Sequence, residues 1–98
     1  MIVLTPRAIR QVAALRRHYE GLGRSEAIRN LIVALEDAWR TIVGNPENGL
    51  PAPRPYPMLA RPGRGWILSG RYWIAYNTRP PIAIVAVFYD SADIPGRL

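Results

Sequence analysis

Seven consecutive apolar residues, Ile82-Ala83-Ile84-Val85-Ala86-Val87-Phe88, most limit what this chain can become. The whole uncharged stretch, from Pro80 to Tyr89, is half the roughly 20 residues a membrane helix needs. A short β-branched run with apolar residues at every position, preceded by Pro80-Pro81, reads instead as a strand in the middle of a sheet. Two segments upstream can pair with it. Gly65 to Leu68 and Tyr72 to Asn77 are rich in Trp, Tyr and Ile, and Ser69-Gly70 and Thr78-Arg79-Pro80-Pro81 provide turns between them and Ile82 to Asp90. A meander over 65–90 is expected.

The first half of the chain has the other periodicity. Thr5-Pro6 is a helix start, a hydroxyl cap followed by proline at the first helical position. Ala8, Val12, Leu15, Tyr19 and Leu22 then share one side of a 3.6-residue period, with Arg7, Arg10, Arg17 and His18 on the other. Gly21 and Gly23 end this helix. Ser25 can cap a second one, whose stripe of Ile28, Leu31, Ile32, Leu35, Ala38, Trp39 and Ile42 is the cleanest in the sequence. On its outer face Glu36 precedes Arg40 by four residues, the favourable order for an ion pair, and Gly44 and Pro46 stop it. The two helices form a hairpin over 6–44.

Between helices and meander, Pro51, Pro53, Pro55 and Pro57 occupy alternate positions within the stretch 50–62. That spacing removes every second backbone donor and predicts a stiff, extended, polyproline-like connector crossing the surface. With a short strand at Ile2-Val3-Leu4, the expected order is β-α-α-β-β-β. The fold class is therefore α+β, a single domain over 1–98 in which a small, antiparallel-type sheet carries the helix hairpin on one face. One core is expected, containing Val12, Leu15, Leu31, Leu35, Trp39, Ile84 and Val87.

Composition narrows the function. A chain 49% hydrophobic and 20% charged is ordinary for a folded domain. With no cysteine and His18 alone, neither a thiolate site nor a histidine metal cluster can be built, and no cofactor is implied. No basic n-region followed by an apolar h-region opens the chain, so a cytoplasmic protein without membrane attachment is expected. The net charge is +6, and its distribution is uneven. Residues 1–50 hold seven arginines against five acids, whereas 54–79 hold Arg54, Arg61, Arg64, Arg71 and Arg79 with no acid. Such a field suits nucleic acid or an acidic protein segment, and equally a merely solvated basic face.

The element order and several short words of this chain resemble the RelE/ParE toxin superfamily, closest to its ParE or plasmid-stabilisation branch. The words are Thr5-Pro6-Arg7-Ala8, Gly44-Asn45-Pro46, Arg61-Pro62-Gly63, Gly70-Arg71-Tyr72-Trp73-Ile74-Ala75-Tyr76 and Ala92-Asp93-Ile94-Pro95. The resemblance implies the toxin of a bacterial type II toxin–antitoxin system, neutralised by a cognate antitoxin with an acidic binding segment. Its target would be DNA gyrase, reached by binding without catalysis, or alternatively the ribosome and its mRNA, with a ribosome-dependent endonuclease activity. A non-toxic basic nucleic-acid-binding module is the third reading.

Departures from the family pattern favour binding. Ribonucleases of the family carry arginine where this chain has Trp73, often another where it has Ala92, and often a histidine where it has Tyr89. In-line cleavage of RNA needs a base, cations around the phosphate and an acid. Were the chain a ribonuclease, Arg64 and Arg71 would contact phosphate and Tyr89 and Asp90 would form the acid/base pair. Tyr89 can equally cap the core with its ring, with Asp90-Ser91 opening a turn. Antitoxin or target binding falls to Arg54, Arg61, Arg64, Arg71 and Arg79. His18 reads as a solvated residue on an outer helix face, and Trp66, Tyr72, Trp73 and Tyr76 are either a platform for stacking bases or core.

Overall fold

The structure, a computed structural model, describes residues 1–97; Leu98 lies outside the described residues. Helix α1 spans Pro6–Gly21 and helix α2 spans Ser25–Gly44. They are followed by three antiparallel strands, β1 (Arg64–Ser69), β2 (Tyr72–Asn77) and β3 (Ile84–Tyr89), in the order β1-β2-β3. The α+β class and the helix hairpin on the sheet are as the sequence predicts. Thr5 caps α1 through its hydroxyl, which accepts from the Ala8 N–H at 3.3 Å. Ser25 does not cap α2: it is the first helical residue, behind Arg24, which makes no side-chain cap bond. The expected Glu36–Arg40 pair is replaced by Asp37–Arg40 at 3.3 Å. No helix among the described residues is long and apolar enough to cross a membrane.

The expected strand at residues 2–4 shrinks to a single parallel bridge between Leu4 and Ile84. The Ile84 N–H donates to the Val3 carbonyl and the Thr5 N–H to the Ile84 carbonyl, both at 2.9 Å. Pro6, which lacks an N–H, then turns the chain into α1 and ends the pairing. One helical turn on, the Gln11 side chain takes up the strand's role, its Oε1 accepting from the Val87 N–H at 2.8 Å. The central strand is therefore β2, and β3 lies outside it.

The apolar run in β3 has a different cause from a central position: the sheet is buried on both faces. Tyr72, Ile74 and Tyr76 face the helices with Leu31, Leu35, Ala38 and Ile42, whereas Trp73 and Ala75 join Trp66, Ala86, Phe88 and Ile94 on the opposite side. Two apolar clusters replace the single one expected. The second is roofed by the proline-rich connector and the tail, through Leu50, Tyr56, Leu59 and Ala92. The connector is no polyproline strut over the surface. It buries Ala52 and Pro53, makes one antiparallel bridge from Leu50 to Trp66, contains a short 3-10 turn at Pro57–Leu59 and follows another at Pro46–Asn48.

A bulge decides which β3 residues face the helices. Ala75 pairs with Ala86 but Tyr76 pairs with Ile84, so Val85 is the extra residue. Residues three apart in a regular strand point to opposite faces; the insertion lets Ile84 and Val87 both enter the helix-side cluster. At the other end of the sheet, Gly70 turns β1 into β2 with φ +56°, a conformation that suits glycine.

Of the expected core, Leu31, Leu35, Ile84 and Val87 are buried, while Val12, Leu15 and Trp39 pack partly buried against them. Leu35→Ala should cost about 2–5 kcal/mol, because a buried leucine loses its transfer energy and leaves a cavity. Urea unfolding of the two proteins checks this; equal midpoints would mean that α2 does not pack on the sheet through this residue.

Candidate functional site

Both faces of the sheet being covered, the principal cleft opens at one end, between the hairpin and the edge formed by β3 and the β1–β2 turn. It measures about 1250 Å³, more than the roughly 300–1,000 Å³ of a small-molecule pocket. Its floor is aromatic. The hydroxyls of Tyr19 on α1 and Tyr72 on β2 share a hydrogen bond of 2.6 Å in a buried setting. Tyr89 meets Tyr72 edge-on, ring centroids 5.7 Å apart. Burial, followed by the bond to Tyr19, pushes the Tyr72 hydroxyl well above the usual tyrosine pKa.

At the rim, Arg71 is held on three sides. Its Nε donates to Asp90 Oδ2 at 3.1 Å, its guanidinium carbon stands 5.3 Å from the centre of the Tyr89 ring, and its carbonyl accepts from the Asp90 N–H at 2.8 Å. The hydrogen bond from Arg71 to Asp90, and then the Asp90 charge, raise the arginine pKa. An exposed pair of this kind adds little to stability. What it does is aim the guanidinium, whose Nη nitrogens make no hydrogen bond among the described residues. That planar edge is suited to a carboxylate. His18, Arg24, Leu22 and Val33 also line the cleft, the latter two as exposed apolar side chains.

The structure thus brings together Arg71, Tyr89 and Asp90 from the expected residues and places Arg61, Arg64 and Arg79 around the opposite end of the sheet, where the Arg64 N–H meets the Arg61 carbonyl and the Thr78 N–H the Gly63 carbonyl. Arg64 begins β1, at the end of the sheet remote from Arg71, about 20 Å along a six-residue strand. Arg61 lies in the turn before it and Arg79 in the β2–β3 loop. Arg54 lies on the connector, 5.9 Å from the centre of the Trp73 ring. The expected basic stretch is therefore no single surface. Tyr89 does cap the core, and Asp90-Ser91 does form a turn closed by the Ala92 N–H on the Tyr89 carbonyl at 3.0 Å. Trp66, Tyr72, Trp73 and Tyr76 are all buried, which leaves no stacking platform on the sheet. His18 is exposed, as expected, yet on the cleft's edge beside Tyr19.

Sequence reading missed the Tyr19–Tyr72 pair and the role of Gln11. Tyr19 sits on the apolar stripe of α1, where its ring accounts for its place and the hydroxyl carries no pattern. Gln11 has no signature at all until the short N-terminal strand is seen. Compared with known proteins, the chain matches no family model, no curated protein and no solved structure.

The tyrosine floor should be visible in alkaline unfolding. A folded-state pKa above the unfolded value means that the folded chain keeps its proton longer. The contribution is complete below the ordinary tyrosine pKa of about 10 and is lost as pH rises above it. Urea midpoints should be level up to about pH 9.5 and fall beyond it. Tyr72→Phe should lower the midpoint at neutral pH by the loss of a buried hydroxyl partner, about 1–3 kcal/mol, and flatten the alkaline fall. An unchanged alkaline slope in Tyr72→Phe would assign that fall to other groups, such as Tyr76, whose hydroxyl burial also pushes up.

Proposed function

We propose that this chain is the toxin of a type II toxin–antitoxin pair, cytoplasmic, acting by binding its target without cleaving RNA. The observation that carries the reading is the burial of Trp73. At the position where the nucleolytic branch of the resembled superfamily keeps a cation, an indole lies 3% exposed beneath the connector. Ala92, at the second such position, packs against the same cluster. Asp90, which would serve as base or acid, is engaged by Arg71. Loss of one well-placed charge stabiliser slows a phosphoryl-type transition state by about 100- to 1000-fold, so the absence of two leaves little cleavage to expect.

In this reading the cleft receives the antitoxin. A segment with a carboxylate for the free edge of Arg71, a second acid for Arg24, and apolar side chains for Leu22 and Val33 would suit it in charge and character. Long-range attraction to the +6 chain would show chiefly as a fast, salt-sensitive association rate. Exposed apolar side chains are available to a partner on the helices, Ile32, Val33 and Val43 among them, and on β1 at Leu68. DNA gyrase is the target this reading favours.

The test is to add the purified protein to translating ribosomes and, separately, to a gyrase supercoiling reaction. The reporter message should stay intact, and supercoiling should be inhibited or cleaved DNA trapped. Ribosome-dependent cleavage of the message that is abolished by Tyr89→Phe or Arg71→Ala would replace this function with the endonuclease one.

A further inference from the structure

The outer face of α2 carries a periodic pattern that a single chain does not use. Arg29, Val33, Glu36, Arg40 and Val43 follow one another at alternating steps of four and three residues, and Glu47, in the 3-10 turn after the helix, continues the count. Such steps keep one seam of a helix turned toward a neighbouring helix. The seam lies opposite the buried stripe of Leu31, Leu35, Ala38 and Ile42, and all six of its residues are exposed. Val33 and Val43 are each 52% exposed, and Ile32 beside them is 43% exposed.

Within one chain the charges of the seam are almost idle. Among the described residues Arg29, Glu36 and Glu47 make no ion pair, and Arg40 meets only Asp37, at 3.3 Å on the surface. Read backwards, however, the seam complements itself. About the midpoint between Glu36 and Arg40, Glu36 is matched with Arg40, Val33 with Val43 and Arg29 with Glu47, while Ile32 is matched with Gly44, which has no side chain to oppose it. Positions equidistant from such a midpoint face each other when two copies of a helix pack antiparallel across a two-fold axis. Other arrangements are penalised. A parallel pair in register sets each charge against itself, and an antiparallel pair shifted by seven residues sets Arg29 against Arg40 or Glu36 against Glu47.

We propose that this seam binds the same seam of a second copy of the chain, the two α2 helices lying antiparallel. Two Glu36–Arg40 pairs stand at the centre, and on each side Val33 of one copy packs on Val43 of the other. The long glutamate and arginine side chains cross the seam on their apolar stems and keep their charged heads at its wet edges. Charge order sets direction and register; the valines, with Ile32, supply the apolar contact. One helix face is at the low end of specific interface areas, so the dimer is reversible and depends on concentration. Val33 also borders the cleft, but the dimer does not rest on the function proposed there.

Sedimentation equilibrium of the whole chain should show monomers and dimers in an exchange that salt weakens. Glu36→Arg and Arg40→Glu each set like charges together across the seam and should raise the dissociation constant at least about 10-fold. An equimolar mixture of these two variants, and the chain carrying both changes, should dimerise as the parent does, because every opposed pair is again of unlike sign. Both positions are exposed, so urea midpoints of the dilute variants should stay near the parent's. The chain has no cysteine, which allows Val33→Cys and Val43→Cys to report the register. Mixed and mildly oxidised, the two should cross-link to each other; either alone should not, its thiols being about 15 Å apart along the seam. A parent that stays monomeric up to about 500 µM would overturn the dimer. So would single charge variants that associate as tightly as the parent, a mixture no tighter than its components, or a seam that engages only a different protein such as the antitoxin.

Discussion

Every side chain from Tyr72 to Tyr76 is buried, and a strand of that kind requires apolar cover on both sides of its sheet. The rest of the fold is arranged around this demand. The helix hairpin supplies one cover from the first half of the chain, with Leu31, Leu35 and Ile42 against Ile74 and Tyr76. No further helix remains for the other side, so the connector and tail become the second layer, bringing Leu50, Tyr56 and Leu59 over Trp66 and Trp73. A segment rich in proline can do this cheaply, since proline has no N–H to satisfy when it is buried. The cleft follows from the same arrangement: with both faces closed, a large concavity can open only at an end or an edge.

Much of the fold was legible because its signals are local. Helix stripes, the Thr5-Pro6 cap, the glycine-bearing turn at Gly70 and the β-branched strands report on neighbouring residues, and the elements form where these predict. Three features were not legible, each for a physical reason. The residue 2–4 strand has the right composition, but its extent is set by where Pro6 diverts the chain. The apolar run of β3 is consistent with a central strand and with an outer strand covered on both faces, and residue type alone does not separate the two. The connector's prolines carry the same pattern whether they cross solvent or roof a core.

The candidate site divides along the same line. Arg71, Tyr89 and Asp90 were named from the strand ends, and antiparallel pairing of Tyr72 with Tyr89 brings them together. The five arginines named for binding lie at more than one place on the molecule, because closeness in sequence is not closeness in space: β1 carries Arg64 to one end of the sheet and its turn leaves Arg71 at the other. Burial first, then the like charges of Arg61 and of Arg7, which is distant in sequence, lower the Arg64 pKa.

Tyr76 ties the start of the connector to the sheet. Its hydroxyl donates to the Pro46 carbonyl at 2.8 Å, and its ring lies so close to Gly49 and Gly65 that a Cβ on either would overlap it. One glycine precedes the Leu50 bridge, the other faces Tyr76 across β1 and β2, and a single ring fills the space both leave vacant. The two positions are therefore energetically coupled although sixteen residues separate them in the chain. Whichever is enlarged first must displace the ring and release Pro46; enlarging the second then meets a space already disturbed. Their combined cost is less than the total of the two taken singly, so tolerance at one glycine is set by the residue at the other.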